Sequence, residues 1–248
     1  MILEIDMGNT RLKWRVRSQS AVVARGALGI EEPLDLLLDE INLYRSVINT
    51  ACVASVVGEI LEQRIANWCV EHFGLQPMFA RSSIACGAVR NGYRQPQMLG
   101  VDRWLGIVAA YRAIGGACLV VSCGTAVTVD LIASDGVHQG GFIAPGLSLM
   151  LNSLEHGARQ IKLDPMPSML GLTPAASTSG AVYSACAAML KGLIDNGVQH
   201  LSKINRESKC ELIFTGGDAS KLLPFYPQAR LIPDLVLDGL AGVLDLTQ

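Results

Sequence analysis

The chain has no cluster of lysine or arginine; 20 basic residues stand against 22 acidic ones, for a formal net charge of -2. Nucleic acids and acidic membrane surfaces are held by dense positive charge, so neither is expected as a partner. There is also no long unbroken apolar run. The stretches at 118–129 and 175–190 are interrupted by Gly, Ser and Thr and stop short of the roughly 20 residues a membrane helix needs. No membrane span is expected. C-x-x-C pairs are missing too: Cys52, Cys69, Cys86, Cys118, Cys123, Cys186 and Cys210 are odd in number and scattered. That spacing argues against structural zinc and a disulfide framework and predicts buried free thiols. Glu4 and Asp6 stand where a secretory signal would carry positive charge and then an apolar stretch, so the expected location is the cytoplasm.

The 248 residues are 50% hydrophobic and 17% charged, enough to bury a large core in one large or two small domains. Residues 2–6 read as a strand. From Arg11 to Arg17 the pattern alternates, with Leu12, Trp14 and Val16 opposite the basic residues, and this reads as a second strand. Gly8 and Asn9 between them are expected to supply left-handed backbone for a tight hairpin. The unit recurs: residues 118–122 lead through Cys123-Gly124-Thr125 into a β-rich segment at 126–131. Aligning Gly8 with Gly124 superposes Ile5 on Val121 and Asp6 on Ser122, which points to two similar halves.

Helical patterns occupy 34–44, 59–73 and 104–114, and the pair Gly115-Gly116 marks a boundary between residues 1–115 and 116–248. Beyond it come a strand at 140–144, a helix after Pro145-Gly146, an Ala-rich helix near 179–199, a strand at 210–215, the turn Gly216-Gly217-Asp218 and a final helix near 235–244. The expected class is α/β, with two duplicated lobes of mixed strands and flanking helices.

A strand ending in Asp and followed by a glycine hairpin suits a nucleotide phosphate. Gly8 permits close approach, Asn9 and Thr10 offer donors, Lys13 adds positive charge, and Asp6 can hold Mg²⁺ directly or through water. An ordinary turn with a solvated Asp fits this motif equally well. Gly124-Thr125 in the repeated position favours the nucleotide, because a triphosphate clamped by two lobes draws donors from both. The turn Thr215-Gly216-Gly217-Asp218 suits the nucleoside end, or is simply a tight strand-to-helix turn.

Taken with Asn91-Gly92-Tyr93, Gly100-Val101-Asp102-Arg103 and Gly140-Gly141-Phe142-Ile143-Ala144-Pro145-Gly146, these motifs resemble those of the type III pantothenate kinases. That family lies within the actin-like ATPase superfamily, alongside acetate kinase and the Hsp70 chaperones. The resemblance implies ribonuclease H-like lobes with an ATP cleft between them and ATP-dependent phosphorylation of pantothenate, the first step towards coenzyme A. It implies ATP contacts from Asp6, Met7, Gly8, Asn9, Thr10, Arg11, Leu12, Lys13 and Thr125. Pantothenate contacts would come from Tyr93, Gly100, Val101, Asp102, Arg103 and Thr178, with Asp102 as catalytic base. It further implies Mg²⁺, a homodimer, and a monovalent cation, K⁺ or NH₄⁺, held by an Asp before the second Gly/Thr turn. This chain has Ser122 there, and a neutral hydroxyl does not offset cation desolvation as a carboxylate does; weak or absent K⁺ activation is expected, unless Asp130 folds back to compensate.

Each residue also has a structural alternative. Asp102 can cap a helix starting near Trp104, Arg103 can be a surface charge, and Tyr93 can be packing. Ser177-Thr178-Ser179 can be an N-cap cluster, and the Ala-rich helix can be core within one subunit. Two other functions remain open: a kinase of the same superfamily acting on a sugar or carboxylic acid, and a transcription-factor-like binding protein without turnover.

Overall fold

Alternation of apolar and charged residues builds the first sheet. In the computed structural model, which describes residues 1–19, 21–204 and 210–244, β1 (Ile2–Met7) pairs antiparallel with β2 (Arg11–Ser18), and β2 with β3 (Ala21–Gly29). On the other side of β1 lie β4 (Thr50–Ser55) and then β5 (Met78–Phe79), both parallel, giving the order β3-β2-β1-β4-β5. Leu3, Ile5 and Met7 with Leu12, Trp14 and Val16 form one face. That face is buried against Leu37 and Ile41 of α1 (Asp35–Ile41) and Ile65, Trp68 and Cys69 of α2 (Glu59–Phe73). The period of two therefore turns Glu4, Asp6, Lys13 and Arg15 to the opposite face.

The second sheet repeats this plan. Its strands are β6 (Cys118–Cys123), β7 (Ala126–Ile132), β8 (His138–Pro145), β9 (Glu211–Thr215) and β10 (Arg230–Leu231), in the order β8-β7-β6-β9-β10. Each strand takes the place and direction of the one five earlier: β6, β7 and β8 are antiparallel neighbours, and β9 and β10 are parallel additions. The helices of this part are α4 (Leu147–Gly157), α5 (Thr178–Ile204) and α6 (Ala219–Leu222). Leu190, Ile194 and Leu201 of α5 cover Leu119, Val121, Val127 and Val129. A Cβ at Gly197 would stand 3.1 Å from Val129, so this glycine lets α5 lie close to the sheet.

Two compact units result. One comprises Met1–Cys86, Tyr93–Ala109 and the chain from Leu235 onward; the other comprises Gly87–Gly92 and Ala110–Asp234. The helix α3 (Val101–Ile114) begins in the first and ends in the second. The last helix, α7 (Leu235–Val243), belongs to the first unit, where Leu237 and Leu240 pack with Ala54, Val101 and Leu105. All seven cysteines are free thiols, five of them buried. Among the described residues no helix is long and apolar enough to cross a membrane.

The hairpin expected at residues 6–13 forms, but not by left-handed backbone: neither Gly8 nor Asn9 is among the residues with positive φ. Gly8 is used for space. Its N–H donates to Arg11 O at 3.0 Å, and a Cβ would sit 3.2 Å from that same oxygen.

Candidate active site

Asp6 sits one residue from the end of β1, opposite Lys13 on β2 and beside Ala54 on β4. Burial pushes its carboxyl up to about 7, Lys13 pulls it back, and the Asp102 carboxylate pushes it up again. The fold thus brings together three groups that the sequence separates by up to 96 positions: the Asp102 carboxylate in the first turn of α3, the Asp6 carboxyl near the end of β1 and the Lys13 amine on β2. Asn9, Thr10 and Arg11 are exposed at the turn. Met7 and Leu12 are core residues, so only their backbone can face a ligand.

Asp102 is not the cap of a helix starting near Trp104. The helix begins at Val101, and Trp104 N–H donates to Gly100 O at 2.9 Å. Asp102 is therefore inside the first turn, where a negative charge meets the positive end of the helix. A Cβ on Gly100 would lie 2.7 Å from Asp102 Oδ1, so glycine there makes room for the carboxylate. Val101 is buried in the cluster with Ala54 and Leu105. Arg103 is buried rather than a surface charge. Its Nη1 donates to Tyr93 Oη at 2.7 Å, and its guanidinium lies 5.5 Å from the Tyr93 ring centre, which makes the pair one fixed unit.

In the second unit the strand-end face that corresponds to Asp6, Lys13 and Ala54 carries Ser122, Thr128 and Thr215, all hydroxyls. The sequence singles out Thr215 only as part of the turn suited to the nucleoside end and does not single out Thr128; their placement beside Ser122 follows from sheet register alone. Asp130, two residues deeper on β7, is 1% exposed, and its Oδ1 lies 2.8 Å from His138 Nε2, so this carboxylate is already engaged. Next to Ser122 three glycine turns converge. Gly146 N–H donates to Thr125 O at 2.9 Å and Asp218 N–H to Cys123 O at 3.1 Å. A Cβ on Gly146 would lie 2.2 Å from Gly124 O, and one on Gly216, whose φ is 92°, would lie 2.3 Å from Cys123 O. Thr125 is exposed on this packed backbone platform. Burial pushes the Cys123 thiol up to about 12, so it serves as neutral packing.

Thr178 opens α5 and is exposed. Capping falls to Ser177, whose Oγ accepts from Gly180 N–H at 3.2 Å. Ser179 is buried and bonds both the N–H and the carboxylate of Asp164. A groove lined by Leu34, Ile60, Arg64 and Trp68 lies on the α1 and α2 side of the first sheet, the face opposite Asp6; volume alone does not mark the chemistry.

Asp6 gives a stability test. Its carboxyl binds a proton more tightly folded than unfolded, so its ionisation opposes folding. The penalty is absent near pH 4, grows as pH rises, and is complete above about 7. It is on the order of 2–4 kcal/mol, at the low end because Asp6 keeps some surface in water. Asp6→Asn should raise Tm by about 5 °C at pH 8 with the gain shrinking towards zero near pH 4. Melting curves at the two pH values decide; an equal gain at both would assign the effect to shape instead of charge.

Comparison with known proteins adds to this geometry. A family model described as type III pantothenate kinase matches residues 2–200. A type III pantothenate kinase of Azotobacter vinelandii is 38% identical over 246 residues, covering 97% of each chain. Among solved structures, a Campylobacter jejuni protein assigned to the Baf family of transcriptional activators is similar with a TM-score of 0.61 at 22% identity, covering 98% of both chains. The activator of the 2-hydroxyisocaproyl-CoA dehydratase from Clostridium difficile, solved with bound ADPNP, has a TM-score of 0.52 at 12% identity, covering 98% of this chain and 92% of that one. The two structural likenesses show that the fold is shared with these proteins.

Proposed function

The chain belongs to the type III pantothenate kinase family, and from that membership we propose roles for its residues. The reaction is ATP-dependent phosphorylation of pantothenate, which opens coenzyme A biosynthesis. In our reading Asp102 accepts the proton of the pantothenate hydroxyl as it attacks the γ-phosphorus. Arg103, held by Tyr93, meets the pantothenate carboxylate or the transferred phosphate, and Gly100 and Thr178 contact the same substrate. The Gly8 and Gly124 turns, with Asn9, Thr10, Arg11, Lys13 and Thr125, bind ATP phosphates by backbone and side-chain donors. The observation that supports this reading is that the Asp102 carboxylate lies near enough to Asp6 to push its carboxyl up, which suits Asp6 as the metal-binding carboxylate and Asp102 as the base.

That donor set fits Mg²⁺, which takes one or two carboxylates and fills the rest of its shell with phosphate and water. Asp6 would hold it, and when bound it supplies charge neutralisation on the phosphates. A coupled assay of ADP release against a panel of hydroxyl acceptors tests the reading: release should depend on pantothenate, and release driven by a sugar or a carboxylic acid would reassign the acceptor.

At Ser122 the surrounding hydroxyls of Thr128 and Thr215 are neutral, so a monovalent cation gains no charge compensation there. In the same assay, K⁺ replacing a bulky organic cation at fixed ionic strength should raise the rate by less than about twofold. A steep rise would overturn the expectation. We also take residues 1–115 and 116–248 as halves duplicated in their sheets, supported by the repeated strand order, with α7 at the end of the second half packed into the first compact unit. A homodimer is supported by the exposed small-residue face of α5 at Ala181, Ala185 and Ala188, beside Met189. A cytoplasmic site of action suits the seven free thiols.

A further inference from the structure

The face of the first sheet that carries Asp6 holds a ladder of opposed charges. Asp6 faces Lys13, and one step inward Glu4 faces Arg15. Glu4 is fully buried and Arg15 is 4% exposed. Arg15 Nε donates to Glu4 Oε2 at 2.5 Å, Arg17 Nε donates to Glu4 Oε1 at 3.1 Å, and Arg15 Nη1 reaches across to Asp238 Oδ1 of α7 at 2.6 Å. The next residue of α7, Gly239, seats against α3: a Cβ there would stand 2.3 Å from Leu105 O, three residues after Asp102. Leu237 and Leu240 complete the contact with Val101, Leu105 and Ala54. One guanidinium therefore links the strand that carries Asp6 to the helix on which the first turns of α3 rest.

Stability does not explain this arrangement. A buried ion pair recovers its desolvation cost poorly, and apolar residues of similar volume commonly do as well. Asp238 keeps 43% of its side chain exposed, so its pair with Arg15 is screened and adds little to folding. A planar guanidinium with donors fixed in two directions is suited instead to holding two elements in register.

We propose that Arg15 is a positioning residue for phosphoryl transfer, acting through Glu4 and Asp238 to hold α7, and with it the start of α3, in place over the sheet face that bears Asp6. The inference rests on the roles given above to Asp6 and Asp102. Transfer depends on alignment, and a displacement of about 1 Å can cost up to about 100-fold in rate. The link to Arg15 is indirect, so a smaller loss is expected.

Steady-state kinetics and melting curves of the full-length protein test it. Asp238→Asn and Arg15→Lys should each lower kcat by about five- to tenfold, with KM for ATP and pantothenate within about twofold and Tm within about 3 °C. Lysine keeps the charge but presents a single point and does not serve both carboxylates at once. Asp238→Glu should recover part of the lost kcat. Arg15→Met removes the charge, and where it fails to fold the conservative variants decide. A fall in Tm with wild-type kcat, or a change confined to KM, overturns the proposal. Asp102→Asn run alongside separates the two readings: wild-type turnover in that variant removes the base assignment, whereas wild-type turnover in Asp238→Asn beside a slow Asp102→Asn removes only the role of Arg15.

Discussion

Asp102→Asn should lose about 100-fold or more in kcat while its Tm stays within about 2 °C of the parent. Asparagine matches the carboxylate in shape and keeps a hydrogen-bonding oxygen, but at neutral pH it does not take the proton that an alcohol must release as it attacks phosphorus. Two structural features keep the stability cost small. Asp102 lies inside the first turn of α3 instead of capping it, so helix initiation at Gly100 and Val101 does not hinge on its charge. The charge is also opposed by its neighbour: the Asp102 carboxylate raises the Asp6 carboxyl, and removing it relieves that repulsion. The loss of favourable interaction with the helix end is offset in part by this relief. Turnover is read by pantothenate-dependent ADP release and stability by thermal melting. Unchanged turnover would remove Asp102 from the reaction. A large fall in Tm would assign it a structural duty.

Gly146→Ala should weaken ATP use by about 100-fold in kcat/KM. Alanine suits the backbone of Gly146, whose φ of -70° and ψ of 168° are ordinary extended values. The added methyl is what does not fit, lying 2.2 Å from Gly124 O and 2.6 Å from Thr125 O. Backbone atoms do not rotate out of the way as a side-chain tip does, so the Gly124-Thr125 turn or the start of α4 must shift. Overpacking of this kind costs about 1–3 kcal/mol in stability, and the displaced turn is the one assigned to phosphate. The fall should appear mainly in KM for ATP, with KM for pantothenate less affected. Wild-type kinetics with ATP in a folded Gly146→Ala would mean that this platform does not touch the nucleotide.

Local patterns were legible in the sequence. The hairpin from Ile2 to Ser18 follows from the apolar, β-branched opening and the strict alternation from Arg11 to Arg17, and α2 spans residues 59–73 as its apolar spacing predicts. The pairing of Asp6 with Lys13 follows from the hairpin once its register is set. β4 was missed because its burial pattern is nearly continuous, on both faces, and leaves no alternation to read. The start of α3 was misplaced because Val101 is an apolar residue that belongs to the core and gives no boundary signal. The use of Gly8 was also misread. Sequence identifies a glycine but does not distinguish left-handed backbone from close packing, and here the nearby Arg11 O decides it. The site residues on separate elements meet only through the sheet: Thr128 and Thr215 join Ser122 by register, and Asp238 joins Arg15 across 223 positions. No local pattern carries such information.

The membership of α7 in the first unit bears on how the protein is made. A ribosome delivers the β1 to β5 sheet early, yet the helix that packs with Ala54, Val101 and Leu105 follows only after the whole second unit. At synthesis rates of about 5–20 residues per second, the interval is on the order of ten seconds. During it, the apolar surface destined for Leu237 and Leu240 is open to water and to chaperones, and the buried charges Glu4 and Arg15 have yet to meet Asp238. The second unit's sheet and helices, by contrast, are consecutive in the chain from Ala110 to Asp234. The half whose synthesis begins first is therefore the half whose chain is completed last.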